Sequence, residues 1–141
     1  MQQNDPFAPI LRRLKGQTDR QILTDIERAG GVEAALDAVF NGMAAAFRPE
    51  RAGRRELVIQ YDIGTPRGTL NYQVALRGGA CRAERGSATR AEILISLSLP
   101  NFLRLVMGNL RPTLAYLTGK LKISGDLILG AQVEDWFERP V

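Results

Sequence analysis

The sequence contains no histidine, and this absence narrows its possible chemistry sharply. Ser-His-Asp and Cys-His nucleophiles, imidazole general bases and the common zinc ligand sets all need that side chain. Cys81 is the lone cysteine. It has no disulfide partner and sits in a strand-like run, so it reads as a buried structural thiol. The 15 acidic residues are scattered; Glu134-Asp135, and Glu27 beside Arg28, read as solvated charge on helix faces. Between Gly64 and Gly68 two glycines stand four residues apart without a Lys-Ser/Thr pair, and a hairpin follows instead of a helix. That loop is a turn, not a phosphate cradle. No catalytic residue, metal site or cofactor is expected, and the chain is not expected to be an enzyme.

The net charge of +4 is carried mostly by arginine. Arg48, Arg51, Arg54 and Arg55 cluster past one helix, and Arg77, Arg82, Arg85 and Arg90 flank a strand. Nucleic acid is the first partner such a balance raises, but no aromatic-basic interleaving or known binding motif accompanies it. No nucleic-acid partner is expected. A solvated surface, or transient attraction to an anionic membrane surface, fits the same charges.

The elements that would position these groups follow from periodicity. At 141 residues and 45% apolar composition the chain suits one domain with a core. No stretch approaches the roughly 18 apolar residues of a membrane span. The start, Met1 to Pro6, lacks a secretory signal, and with one cysteine this points to the cytoplasm. A short apolar cluster at Phe7, Ile10, Leu11 and Leu14 precedes a capping box at Thr18-Asp19-Arg20-Gln21. The next helix carries Ile22, Leu23 and Ile26 and stops at Gly30-Gly31. From Val32 the helical period runs through Leu36, Val39, Phe40, Met43 and Phe47, with Ala35 and Ala44 to Ala46 filling in, until Pro49 ends it.

The period then changes to two. Leu57, Ile59, Tyr61 and Ile63 alternate with polar neighbours, as do Leu70, Tyr72, Val74 and Leu76 after the turn, which predicts an antiparallel hairpin. Ala80 to Arg85 reads as a third strand and Glu92 to Leu97 as a fourth. Ser98 caps a helix with Pro100 in its first turn, and Pro112 opens a short helical turn. Lys120 to Ser124 alternates as a fifth strand. Asp126 caps a last helix through Trp136 and Phe137, stopped by Pro140. The outward strand positions Gln60, Asp62, Asn71 and Gln73 are polar, so the helices must cover the other sheet face. This is an α+β arrangement. The C-terminal half is more apolar than one covered sheet face requires. A thick dry core explains that excess, and so does a cavity walled by the sheet and C-terminal helices.

From about Val32 to Phe137 the chain resembles the sterol-carrier-protein type two domain, in its bacterial single-domain form. Ala91-Glu92-Ile93-Leu94-Ile95-Ser96-Leu97-Ser98 resembles that family's strand leading into a serine-capped helix. Asn101-Phe102-Leu103-Arg104-Leu105-Val106-Met107-Gly108 is similar to the helix itself, with Leu110-Arg111-Pro112 following. Gly119-Lys120-Leu121-Lys122-Ile123-Ser124-Gly125-Asp126-Leu127 is similar to the family's most recognisable run.

The resemblance implies a mostly antiparallel five-stranded sheet with helices packed on one face, enclosing a hydrophobic tunnel for fatty acyl chains, acyl-CoA, phospholipid or sterol-like molecules. By position it implies lining from Phe102, Leu103, Val106, Leu110, Leu114, Leu117, Leu121, Ile123, Leu127 and Leu129, with Ile59, Tyr61, Leu70 and Tyr72 from the sheet. Arg111 and Gln132 are candidates for a head group. Residues 1–30 form an N-terminal helical extension and residues 31–141 the lipid-binding domain. The ending Glu138-Arg139-Pro140-Val141 is not the peroxisomal address of animal members. Gly130, inside the last helix, marks close packing or a point of movement. The function implied is a lipid carrier; the alternative is an accessory module presenting an apolar substrate to a partner enzyme.

Overall fold

A computed structural model describes residues 5–139; the amino-terminal tetrapeptide and the expected helix stop at Pro140 lie outside the described residues. The alternating segments form the centre of the sheet. Strands β1 (Leu57–Thr65) and β2 (Gly68–Arg77) pair antiparallel from Leu57 opposite Leu76 to Thr65 opposite Gly68. Strand β3 (Ala80–Arg85) joins the free edge of β2. On the other side β4 (Ile93–Ser98) runs parallel to β1, and β5 (Lys122–Gly125) pairs antiparallel with β4. The order β3-β2-β1-β4-β5 makes a mixed, mostly antiparallel sheet. Period-two alternation buries Ile59, Tyr61, Ile63, Tyr72, Val74, Ile93 and Ile95 on one face. The opposite face is not wholly open. Gln60 is buried there because the β3–β4 loop folds over it, and its side-chain oxygen accepts the Ala88 N–H at 2.7 Å.

The described residues form seven α-helices, and the layer they make covers the apolar face: α1 (Ala8–Arg12), α2 (Asp19–Ala29), α3 (Val32–Ala45), α4 (Pro49–Ala52), α5 (Leu99–Val106), α6 (Pro112–Leu117) and α7 (Leu127–Gln132). The three expected caps form. The Gln21 N–H donates to Thr18 Oγ1 at 3.1 Å while the Thr18 N–H donates to Gln21 Oε1 at 2.8 Å. Ser98 accepts the Asn101 N–H and Asp126 the Leu129 N–H. Pro49 opens a short extra helix instead of only ending α3. The last helix is shorter than expected and passes into a 3₁₀ turn, Val133–Trp136. Three residues per turn align positions i and i+3, so Val133 and Trp136 bury together, and Phe137 follows in extended backbone, also buried. Helices α1 and α2 place Phe7, Ile10, Leu14, Ile22 and Ile26 in the same apolar core as the rest.

Phe40 of α3 is the hub of that core. Its ring stacks on Tyr72 at 4.3 Å and on Phe102 at 4.9 Å, and meets Tyr61 edge-on at 5.2 Å. Such pairs add about 0.5–1.5 kcal/mol each beyond area burial. The α3 helix is also tied to the sheet at its rim. Arg85 of β3 grips Asp37 through Nε at 2.8 Å and Nη2 at 2.6 Å, and reaches Glu33 at 2.8 Å. The Tyr72 hydroxyl donates to the same Asp37 carboxylate at 2.6 Å. Hydrogen bonds from Arg85 hold Asp37 below the ordinary carboxylate range, and burial pushes Tyr72 upward.

Two glycines explain why the Ile-Ser-Gly-Asp run and its helix look as they do. Gly125 has φ of +90°, and a Cβ there would strike the carbonyl oxygen of Glu92. Gly130 is buried in α7, and a Cβ would lie 2.5 Å from Ile123 Cγ2 and 3.5 Å from Ile93 Cγ2. Close approach of α7 to β4 and β5 therefore outweighs the roughly 1 kcal/mol helical cost of glycine. Overpacking costs about 1–3 kcal/mol, so Gly130→Ala is expected to lower stability by about 1 kcal/mol despite alanine's better propensity. The penalty should shrink in an Ile123→Ala background; urea unfolding of the four-member cycle measures it, and an additive cycle contradicts the contact.

Candidate functional site

The covered sheet face is packed solid, and the open volume lies on the far side of α3. A cavity of about 1390 Å³ is bounded by the lead-in to α1, by α3, by the end of α5, by α6 and by residues 134–139. No strand residue lines it. The reason is in α3, which has two working faces. Leu36 and Phe40 point to the sheet, whereas Ala38, Gly42 and Ala45, at helical spacing, border the cavity with Val39, Met43 and Ala46 between them. Small side chains there leave room that larger ones would fill. Sequence reading took Ala45 and Ala46 as filler and gave Ala38 no part. The i, i+4, i+7 recurrence of Ala38 and Ala45 with Gly42 was the available signal, although close helix packing gives the same stripe.

Of the expected lining residues, Val106, Leu110, Leu114 and Leu117 border this cavity together. The others sit elsewhere. Ile59, Tyr61, Tyr72, Phe102, Leu103, Leu121 and Ile123 are buried between sheet and helices. Leu70 and Leu129 are half-buried against that core, and Leu127 is exposed. Arg111, at the start of α6, borders the cavity, and Gln132 is exposed away from it. The difference arises because the aromatic cluster around Phe40 fills the space directly over β1 and β2.

Of the carboxylates that line the cavity, Asp5, Glu134, Asp135 and Glu138, one is distinctive. The Tyr61 hydroxyl donates to Glu134 Oε2 at 3.2 Å from the centre of the sheet. Glu134 keeps some accessible surface as a cavity-lining residue. Protein nevertheless surrounds its carboxyl closely enough that burial, helped by Asp135, raises its pKa to about 7 against the lowering bond from Tyr61. Tyr61 itself is pushed well upward by burial and by Glu134. Near neutrality the cavity thus offers a carboxyl group able to donate or accept a hydrogen bond.

One end of the cavity is closed by backbone. The Arg48 N–H donates to the Trp136 carbonyl and the Glu138 N–H to the Ala46 carbonyl, both at 2.8 Å. Phe47 lies against Phe137 with ring centroids 5.6 Å apart. Arg48 and Arg51 both reach Glu138, at 3.3 and 3.1 Å, and Arg55 lies over Trp136. Away from the cavity, burial pushes the Cys81 thiol up to about 11, the reverse of nucleophile activation. Among the described residues no three side chains of metal-ligating type come together. What this geometry provides is a largely apolar, partly open volume that Glu134 borders with a raised pKa, with Asp5, Asp135, Glu138, Arg48, Arg111 and Arg139 also along its border.

The chain is 28% identical over 102 residues to the hydroxysteroid dehydrogenase-like protein 2 of Mus musculus, which covers 71% of this chain and 20% of that protein. It therefore spans about a fifth of that relative's length. Among solved structures, it is similar to palmitated SCP2L2 from Aedes aegypti, with a TM-score of 0.59 at 22% identity over 74% of this chain and 91% of that one. It is also similar to part of the stereoselective inverting sec-alkylsulfatase of a Pseudomonas species, with a TM-score of 0.67 at 18% identity over 95% of this chain and 24% of that one. Those likenesses carry the fold. The SCP-2 sterol transfer family matches residues 40–138, from Phe40 through the 3₁₀ turn and the strap that closes the cavity, and the chain belongs to that family.

Proposed function

We propose that this protein binds an elongated apolar molecule of fatty acyl, phospholipid or sterol-like kind in the cavity behind α3, and carries it without transforming it. The observation that supports this most is the cavity itself. Its volume exceeds the roughly 300–1,000 Å³ of ordinary small-molecule sites, and aliphatic and small side chains make most of its walls. Membership of a sterol transfer family and likeness to a palmitated structure point the same way. Val106, Leu110, Leu114 and Leu117 are the proposed direct contacts, with Phe102 and Leu103 as the packed layer behind them. Arg111 is the proposed contact for a head group.

Each methylene that leaves water gains about 0.8 kcal/mol. A bilayer already supplies most of that gain, so the carrier's contribution is to shield the tail in transit. The source we propose is an anionic membrane surface touched transiently, in a cytoplasmic setting that suits an unpaired cysteine. Among the described residues no helix is long and apolar enough to cross a membrane. Non-catalysis is part of the same proposal, since Cys81 is poorly ionised and no histidine is present.

A second reading has its own support. The mouse relative and the sulfatase are about four to five times longer than the matched region. A module of this kind inside a larger protein would present an apolar substrate to a neighbouring enzyme. Stable capture of an enzyme partner together with slow ligand exchange in isolation would favour that role.

Gly42 separates ligand binding from folding. A Cβ there meets nothing within 4 Å, so Gly42→Leu should keep or raise the Tm, given the roughly 1 kcal/mol glycine penalty in a helix. The same change should weaken uptake of a fluorescent fatty acid by the delipidated protein at least tenfold. Undiminished uptake contradicts this placement of the ligand.

Glu134 gives a pH signature. Its carboxyl is raised from 4.5 to about 7 in the folded state, so between those values the folded chain holds a proton that the unfolded chain has released. That contribution is complete below pH 4.5 and is lost as pH rises through 7. Glu134→Gln should therefore gain on the parent by at least about 1 kcal/mol between pH 5 and pH 8, less than one pKa unit being worth that much. Paired urea titrations at both pH values measure it; a constant difference contradicts the raised pKa.

A further inference from the structure

Five large apolar side chains stand exposed among the described residues, and all belong to two neighbouring helices: Leu114 (52%), Tyr116 (40%) and Leu117 (72%) on α6, Leu127 (46%) and Ile128 (74%) on α7. The two helices pack against each other. Both have inverted polarity. The side buried in the protein carries Ala115 in α6 and Gly130 in α7, while leucine, isoleucine and tyrosine face outward. Leu114 and Leu117 also line the cavity, so this patch is its rim.

We propose that the α6–α7 face docks on an anionic lipid bilayer and seats the cavity rim against the membrane; this rests on the lipid-carrier reading and adds the surface through which the lipid passes. Charge selects the occupant. On α6, α7 and the turn after α6 the basic residues are Arg111 and Lys120, both exposed, and the acidic residue is Asp126, while Lys122 of β5 points to the other sheet face. The Asp126 carboxylate is engaged with the Leu129 N–H at 3.0 Å. A second copy of the chain meeting this face about a twofold axis would set its own cations against themselves, whereas anionic head groups would neutralise them. Apolar helix faces that lie in the membrane plane sink about 5–10 Å into the boundary between head groups and acyl chains. A lipid entering between Leu114 and Leu117 would then leave the bilayer without its tail crossing water.

The experiment uses the full chain, vesicles of phosphatidylcholine alone or with 30% phosphatidylglycerol, and a fluorescent palmitate analogue. Flotation should recover the parent with the anionic vesicles and little of it with the neutral ones. Ile128→Glu and Tyr116→Glu, both outside the cavity lining, should reduce vesicle binding at least tenfold, and Lys120→Glu should abolish the preference for anionic lipid. All three should take up the analogue from solution as the parent does and keep its circular dichroism. Vesicle binding that survives both glutamate substitutions overturns the proposal. So does normal uptake without any vesicle binding by the parent, or a parent dimer in sedimentation that Ile128→Glu dissociates. Vesicle binding lost in the variants, in a protein that never takes up the analogue, upholds the docking face and removes the carrier reading instead.

Discussion

Phe40 stands where three demands on the chain meet. Its ring is clasped by Tyr72, Phe102 and Tyr61, which fixes the distance and rotation of α3 over the β3 side of the sheet. A helix seated that firmly can present its opposite side to empty space without collapsing into it. The rim contacts of Asp37 with Arg85 and Tyr72 add direction more than energy, since half-exposed ion pairs contribute little. The vacancy therefore depends on a dry, aromatic core one layer away. Interiors pack densely wherever the chain permits, and volume survives here because α3 is held and its outer residues are small.

That constraint also decides what could be read from residue order. Strands β1 to β3 were legible because alternation is a local property with a period of two, and the caps at Thr18, Ser98 and Asp126 because each depends on residues three positions away. The family run from Gly119 to Leu127 carried the remaining topology. Burial of Gln60 was illegible, since the loop that covers it arrives from 28 positions along the chain. The split of the last helix was hidden for a similar reason: Val133 and Trp136 fit either helical form until the surface they cover is known.

The site was legible in kind and only partly in place. An excess of apolar residues after Phe102 signalled either a cavity or a thick core, and the molecule has both, on opposite sides of α3. It also spends part of the excess outside, on Leu117, Leu127 and Ile128. Hydrophobicity says that a side chain avoids water; it does not say which of three apolar environments receives it. Glu134 was equally opaque. Beside Asp135 it resembles ordinary surface charge, and only the approach of Tyr61 from 73 residues earlier makes it distinctive.

The strap that joins Arg48 to Glu138 sets an order of events during synthesis. Its partners are separated by 90 residues, which a ribosome adds in roughly 5–20 s at about 5–20 residues per second. Throughout that interval α3 has been synthesised, but the chamber beside it lacks an end wall. The cavity is therefore completed only when Glu138 is added, after every other residue that borders it except Arg139.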